Sequence, residues 1–130
     1  LFLCNANSAR SLMGEVLLRH MAGDRFESFS AGSEPDEPHA LTLEALKKQG
    51  LSTEGLHSKS LDQFENDTFD VVIVLCDKAQ QACREWQGKA DEILFWDIRD
   101  PRLMSKLDAY EQALFEIRHR LQLWLPLQKS

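Results

Sequence analysis

The sequence predicts an α/β fold built on a mostly parallel sheet. Strand-like apolar runs alternate with amphipathic helical patterns along the 130 residues, a length that suits one domain spanning residues 1–130. The stretch "FDVVIVLC" is an unbroken run of apolar, mostly β-branched residues. Runs of this kind are typical of parallel strands that are buried on both faces.

The N-terminal half is predicted to contain two strands and two helices. Leu1–Leu3 has the character of the end of a strand, and because Leu1 is an unusual first residue we expect a few more residues of that strand upstream. A helix follows from Ser11 to Gly23, and the alternation in residues 26–32 suits a short strand. After a proline-containing loop at 33–39, residues 40–50 form a helix that ends in basic residues and glycine.

The C-terminal half is predicted to contain two more strands and a long helix. A short extended or helical piece at 56–64 precedes the buried strand 69–76. The polar segment 77–88 is expected to be irregular and mobile, and 91–97 forms a further strand. Apolar residues spaced by four and three then predict an amphipathic helix closed by Pro126, with an apolar face made of Tyr110, Leu114, Ile117, Leu121 and Trp124.

Composition and charge exclude several functional classes. The chain is 43% hydrophobic and 28% charged, as expected of a globular protein, and its net charge of -6 argues against general binding to nucleic acids or acidic membranes. No apolar run approaches the ~20 residues of a membrane span, and no secretory leader is recognisable. The three cysteines, an odd number, therefore indicate a reducing, cytoplasmic location and no disulfide framework. We expect a monomer.

The opening stretch "CNANSAR" combines a nucleophile with an anion cradle. The small, polar residues between Cys4 and Arg10 allow the backbone to curl with its N–H groups inward, and such a nest at a helix N-terminus binds oxyanions. The Arg10 guanidinium adds a planar fork of donors, and Ser11 can donate a hydrogen bond to the sulfur. The same positive field favours the thiolate form of Cys4. The predicted oxyanion-binding residues are Asn5, Ala6, Asn7, Ser8, Ala9 and Arg10.

Other reactive side chains follow the ends of the predicted strands. Cys4 ends the first strand, Cys76 ends the third, and the residues from Asp97 to Asp100 follow the fourth. Because ligands bind beyond the carboxyl ends of parallel strands, we expect these groups to meet at one edge of the sheet. Taken alone, a cysteine such as Cys76 at the end of a buried strand is more often a core residue than a reactive one.

Two segments of the chain resemble the low-molecular-weight protein tyrosine phosphatase family: "LFLCNANSARSLMGEVLLRH" at the start and "SAGSEP" after the first helix. The resemblance implies a four-stranded parallel sheet of order 2-1-3-4 between helices. It also implies that Cys4 is the nucleophile, Arg10 the oxyanion clamp and Asp100, before Pro101, the general acid. A carboxyl group in a loop at this edge could supply the proton that a leaving group needs.

That family contains phosphatases and arsenate reductases, and the extra cysteines favour reduction. Hydrolysis needs one cysteine, whereas reduction needs two electrons from further thiols. Cys76, with Cys83 seven residues later, resembles the arrangement of thioredoxin-coupled arsenate reductases, which implies a relay from Cys4 through Cys76 to Cys83 with thioredoxin or a glutaredoxin-type protein as reductant. One alternative is a tyrosine phosphatase, but Arg102 offers no aromatic contact for the ring of a phosphotyrosine substrate. The other alternative is a non-catalytic oxyanion-binding module.

No cofactor is required for this chemistry, but one ion is plausible. Some reductases of this type bind potassium near the loop asparagine, and Asn7, Glu15 and Ser30 stand at matching places. A zinc site made by the three cysteines and His57 has an unusual ligand spacing and is disfavoured. Phosphate or sulfate is expected to occupy the same loop as arsenate.

Overall fold

The predicted parallel sheet is present. The computed structural model describes residues 1–128, and all strand pairs in the sheet are parallel, in the order β2-β1-β3-β4. The order 2-1-3-4 implied by the family resemblance is thereby confirmed. The strands are β1 (Phe2–Cys4), β2 (Ser30–Gly32), β3 (Thr68–Val74) and β4 (Lys89–Phe95).

Four α-helices cover the two faces of the sheet. One face packs against α1, α2 and α4, through residues such as Met13, Leu46 and Ile117. The other face packs against α3, where Val72 and Val74 contact Ala79 and Cys83. The helices are α1 (Arg10–Ala22), α2 (Ala40–Lys48), α3 (Asp77–Glu85) and α4 (Leu107–Trp124), with single 3₁₀ turns at Leu61–Phe64, Pro101–Leu103 and Leu125–Leu127. Within residues 1–128, no helix has the length and apolar character needed to cross a membrane.

The segment expected to be irregular, 77–88, is mostly helical, so that prediction is wrong. Residues Asp77–Glu85 form α3, and Cys76 is its N-cap residue. The cause is local: most of the segment consists of good helix formers such as alanine, glutamine, lysine and arginine. Ala79 and Cys83, four residues apart, also bury one face of the helix against the sheet.

Strand boundaries differ from the expected ones in three places. In the stretch 26–32 only Ser30–Gly32 pairs with β1, and β4 begins and ends two residues before the predicted strand 91–97. Strand β3 ends at Val74, and the expected burial on both faces holds only for its second half, since Thr68–Val71 are exposed or half-buried. Cys76 therefore stands just beyond the strand, at the start of α3.

Candidate active site

The loop between β1 and α1 has the geometry of an anion cradle. Its carbonyls bond outward, to N–H groups of the following loop: the oxygens of Cys4, Asn5, Ala6 and Ser8 accept from Ser33, Glu34, Asp36 and His39 at 3.3, 2.8, 2.8 and 3.0 Å. Within residues 1–128 no backbone N–H of residues 5–10 donates to a protein acceptor. These amides, at the N-terminus of α1, are therefore available to an oxyanion.

Asn7 organises the loop around the nucleophile. It is fully buried with φ of 48°, a left-handed conformation that asparagine tolerates. Its Oδ1 accepts from the Lys59 backbone N–H at 2.8 Å, which fixes the amide orientation, and its Nδ2 donates to Ser11 Oγ at 2.6 Å. Because Ser11 Oγ accepts that bond, its own proton is free for Cys4 Sγ, 2.8 Å away. The Ser11 hydroxyl is thereby placed to donate a hydrogen bond to the sulfur of the nucleophile.

Gly32, at the end of β2, lets this strand approach the loop closely. A Cβ atom at this position would lie 2.7 Å from Asn5 O and 2.8 Å from the Asn7 nitrogen. Any side chain would therefore displace the backbone that forms the cradle. The Gly32 N–H donates to Lys59 O at 2.9 Å, which ties the segment around Lys59 to the same edge of the sheet.

Arg10 is fixed by the ends of two strands. Its side chain is 8% exposed, and its Nη1 donates to Leu75 O at 3.1 Å and to Ile98 O at 2.8 Å. Its Nη2 lies 3.5 Å from Asp100 Oδ2. The guanidinium is therefore held beside the loop by groups that follow β3 and β4, as an oxyanion clamp requires.

Asp100 is bound by two arginines. Arg102 donates from Nε and Nη2 to the carboxylate, and its backbone N–H donates to Oδ1 at 3.0 Å, so that Asp100 caps the 3₁₀ turn. Burial raises the pKa of Asp100, but the hydrogen bonds from Arg102 and the charge of Arg10 outweigh it and lower the pKa overall. In this arrangement the carboxylate accepts hydrogen bonds, and its role as general acid remains a prediction.

The three cysteines are free, and Cys76 lies between the other two in the packing of the molecule. Leu75 N donates to Leu3 O at 2.8 Å. Cys4 directly follows Leu3 and Cys76 directly follows Leu75, so the two free cysteines lie just beyond this hydrogen bond. Half-buried Cys76 packs against both apolar clusters, one containing Cys4 and the other containing Cys83. Burial raises the pKa of Cys83, which disfavours its thiolate form in this conformation.

The residues expected to hold potassium are close together, but they do not fit the ion. Glu15 Oε1 accepts from Ser30 Oγ at 2.6 Å and lies 3.3 Å from Lys59 Nζ. Glu15 Oε2 accepts from Arg19, and both Asn7 oxygens also have donors. The oxygens that would bind the ion are thus engaged, and the positive charge is provided by a side chain. Among the described residues no cluster of His, Cys, Asp and Glu has the arrangement of a metal site, and His57 is exposed.

Two features of the site could not be found from the sequence. Lys59 joins the loop to Glu15, a contact between residues that are far apart in the chain. Tyr110 was predicted as a core residue, yet its hydroxyl is the one buried side-chain oxygen or nitrogen without a partner in residues 1–128. Its ring stacks on His39 at 5.0 Å, and burial raises its pKa, as does the charge of Asp100. Neither contact is encoded by a short-range pattern.

Comparisons with known proteins agree with this geometry. The family model described as low molecular weight phosphotyrosine protein phosphatase matches residues 1–130. An arsenate reductase of Halalkalibacterium halodurans is 29% identical over 114 residues, which cover 88% of this chain and 81% of the relative. A glutaredoxin arsenate reductase of Synechocystis is 27% identical over 123 residues, which cover 94% and 92%.

Solved structures share the fold at lower identity. An arsenate reductase in its phosphate binding state superposes with a TM-score of 0.81 at 21% identity, covering 98% of this chain and 96% of the other. The tyrosine phosphatase Wzb of Escherichia coli, in complex with sulphate, superposes with a TM-score of 0.77 at 19% identity, covering 97% and 94%. Both chemistries thus occur on this architecture.

Proposed function

The chain belongs to the low molecular weight phosphotyrosine protein phosphatase family, and from that premise we propose that it is an arsenate reductase, which converts arsenate to arsenite. The relatives named above as arsenate reductases support this assignment. The observation that carries it is the position of Cys76, which packs against the cluster of Cys4 and against that of Cys83. Hydrolysis of a phosphate ester requires only the nucleophilic thiol, whereas arsenate reduction requires further thiols as the source of two electrons.

The first step uses the cradle. The Cys4 thiolate attacks arsenic, forming a sulfur–arsenic bond while one arsenate oxygen leaves as water after protonation. The free amides of residues 5–10 and the Arg10 guanidinium bind the remaining oxygens. The proposal assigns delivery of that proton to Asp100, 3.5 Å from Arg10, after its carboxylate has gained a proton from solvent or from the arsenate itself.

The next two steps are thiol–disulfide chemistry. The Cys76 thiolate attacks the Cys4 sulfur, the disulfide forms, and the electron pair of the sulfur–arsenic bond remains on arsenic, which leaves as arsenite. The Cys83 thiolate then attacks Cys76, the Cys4 thiolate is released, and a Cys76–Cys83 disulfide remains for a dithiol reductant of the thioredoxin or glutaredoxin type. This cycle requires no bound cofactor. It is compatible with a monomer in a reducing, cytoplasmic compartment.

The third step requires α3 to open. Cys76 caps the helix and Cys83 lies seven residues later, so their backbones are about 10 Å apart at a rise of about 1.5 Å per residue. A disulfide needs Cα atoms within about 7 Å of each other. The helix must therefore unwind, at least in part, before Cys83 can reach Cys76, and unwinding also removes the burial that raises the pKa of the Cys83 thiol.

A second candidate function is hydrolysis of phosphotyrosine, which the family description favours. The cradle and Arg10 suit phosphate as well as arsenate, but the residues after Asp100-Pro101 are Arg102, which binds Asp100, and Leu103, which is 74% exposed. Neither provides an aromatic contact for a substrate ring. We therefore place this activity second.

Single cysteine variants separate the two functions. Arsenite release is measured with NADPH, thioredoxin reductase and thioredoxin, or with glutathione and glutaredoxin, and hydrolysis of p-nitrophenyl phosphate is measured in parallel. Cys4→Ser is expected to abolish both activities, whereas Cys76→Ser and Cys83→Ser abolish thioredoxin-coupled arsenate reduction and retain the hydrolysis. Full arsenate turnover by Cys76→Ser would refute the relay, and arsenite formation no faster than without enzyme would refute the reductase.

A further inference from the structure

Lys59 is a half-buried cation that the proposed reaction does not use. Its side chain is 11% exposed, and its Nζ donates to His57 O at 2.7 Å and lies 3.3 Å from Glu15 Oε1. Glu15 in turn is 7% exposed and accepts from Ser30. Removing two charges from water is costly unless they are well paired, so the position of this pair calls for an explanation.

The backbone of the same residue joins three parts of the site. Lys59 N donates to Asn7 Oδ1 at 2.8 Å, and Lys59 O accepts from Gly32 N at 2.9 Å. From Asn7 the contacts continue through Ser11 Oγ, at 2.6 Å, to Cys4 Sγ, at 2.8 Å. The ammonium group therefore anchors the residue whose amide begins a chain of three hydrogen bonds that ends on the nucleophile.

We propose that Lys59 is a positioning residue for Cys4 and that its ammonium serves as a built-in monovalent cation in place of a bound potassium ion. The ammonium pairs with Glu15 Oε1, as Arg19 pairs with Oε2. The pairing holds the backbone of Lys59 against Asn7, which keeps the amide of Asn7 on Ser11. The inference concerns the thiol before any oxyanion arrives, so it does not rest on arsenate being the substrate, and it stands or falls separately from the reductase assignment.

The test compares three variants with the wild-type protein. Lys59→Met removes the charge and keeps much of the length, Lys59→Arg keeps the charge, and Lys48→Met is the matched control. Lys48 Nζ also lies 3.3 Å from a carboxylate, that of Glu111, but the Lys48 side chain is 57% exposed. Lys48 is also distant in sequence from the loop that contains Cys4. The readout is the rate constant for alkylation of Cys4 by iodoacetamide, followed by peptide mass spectrometry at one pH, well below the melting temperature of each variant.

We expect alkylation of Cys4 to slow about fivefold in Lys59→Met, the factor that corresponds to about 1 kcal/mol, and to stay within about twofold of wild type in Lys59→Arg and Lys48→Met. Wild-type alkylation in Lys59→Met would overturn the positioning role. Equal slowing in Lys59→Met and Lys59→Arg would overturn the role of the charge.

A second measurement on the unmodified protein tests the cation itself and is independent of whether the variants fold. Wild-type melting temperatures are compared in potassium chloride and tetramethylammonium chloride at equal ionic strength. Because Lys59 already occupies the position beside Glu15, we expect the two values to agree within about 1 °C, the shift expected for only a few tenths of a kcal/mol. A clear stabilisation by potassium would show a bound ion and would overturn the inference.

Discussion

The two cysteine-bearing regions of the molecule are held by different forces. The loop around Cys4 is held by hydrogen bonds: the carbonyls along it accept from the segment 33–39, and Asn7 and Ser11 fix the sulfur. Helix α3 is held mainly by apolar packing of Ala79 and Cys83, and its N-cap residue, Cys76, makes no side-chain capping bond. The first region is built to keep one geometry, and the second can leave its geometry at small cost.

This difference matches the order of the proposed steps. Attack on an oxyanion benefits from fixed donors and a fixed nucleophile. Transfer of the disulfide to Cys83 needs a change of about 3 Å or more in the separation of two backbones. If the loop around Cys4 were held as weakly as α3, it would bind the oxyanion poorly. If α3 were held as firmly as that loop, Cys83 could not reach Cys76.

Arg10→Lys tests the rigid region and should have the largest effect. A lysine cannot bond Leu75 O and Ile98 O together while also presenting a fork to an oxyanion. Turnover of either arsenate or p-nitrophenyl phosphate should fall about 10²–10³-fold, as for the loss of an oxyanion donor. Arg120→Lys, on the exposed side of α4, is the control. A loss of less than tenfold would show that the amides alone hold the oxyanion.

Asp100→Asn tests how the charged groups stabilise this region. Asparagine caps a helical turn as well as aspartate does, so the variant removes chiefly the charge that Arg102 and Arg10 bind. Because the pKa of Asp100 is lowered in the folded protein, its contribution is present above the unfolded pKa of about 4 and is lost as the pH falls through the folded value.

Urea unfolding of wild type and Asp100→Asn at several pH values measures that contribution. The variant should be less stable by about 1 kcal/mol at pH 7, and the difference should shrink toward pH 3. Asp24→Asn, at an exposed position, should show no such trend. A difference that is independent of pH would mean that the charge of Asp100 does not stabilise the fold.

Gln80→Gly tests helix α3. Gln80 is exposed in the middle of α3, and glycine weakens a helix by about 0.5–1 kcal/mol at such a position. If α3 must open, the Cys76–Cys83 disulfide should form about two- to fivefold faster with glutathione disulfide in a Cys4→Ser background, by the same free-energy arithmetic. Gln112→Gly, equally exposed in α4, should leave this rate unchanged. A slower or unchanged rate in Gln80→Gly would argue against helix opening.

The sequence predicts the loop around Cys4 better than it predicts helix α3, for physical reasons. The stretch from Cys4 to Ser11 is a local motif whose residue types each have one evident use, and its strand-to-helix context follows from the neighbouring periodicity. For α3, the polar composition of residues 77–88 and the closing Gly88 suggested a mobile segment. Its only buried side chains are Ala79 and Cys83. The intrinsic helix propensity of the segment was the better signal.

Long-range contacts are the part that sequence reasoning could not supply. Lys59 and Glu15 are far apart in the chain, and no local pattern pairs this lysine with a carboxylate of α1. Two of the three residues expected to bind potassium, Glu15 and Ser30, are in contact, but only the fold shows that a side chain already supplies the charge. Partner choice for a buried charge depends on several elements at once, and a single sequence does not encode it locally.

Tyr110→Phe is the smallest of these changes. It tests whether the buried hydroxyl of Tyr110 lacks a hydrogen-bond partner in solution. The Tyr110 side chain is fully buried, and its hydroxyl is without a partner within residues 1–128. A buried hydroxyl that has lost its water contacts costs about 1–3 kcal/mol when it gains no bond in return, so phenylalanine should raise the free energy of unfolding by up to about 1 kcal/mol and the melting temperature by a few degrees. The control is Tyr110→Leu, which also removes the ring stacked on His39 at 5.0 Å and should destabilise the protein. A loss of stability in Tyr110→Phe would show that the hydroxyl has a bonding partner in solution, and the nearby carboxylate of Asp100, whose charge raises the pKa of Tyr110, would be the first group to examine.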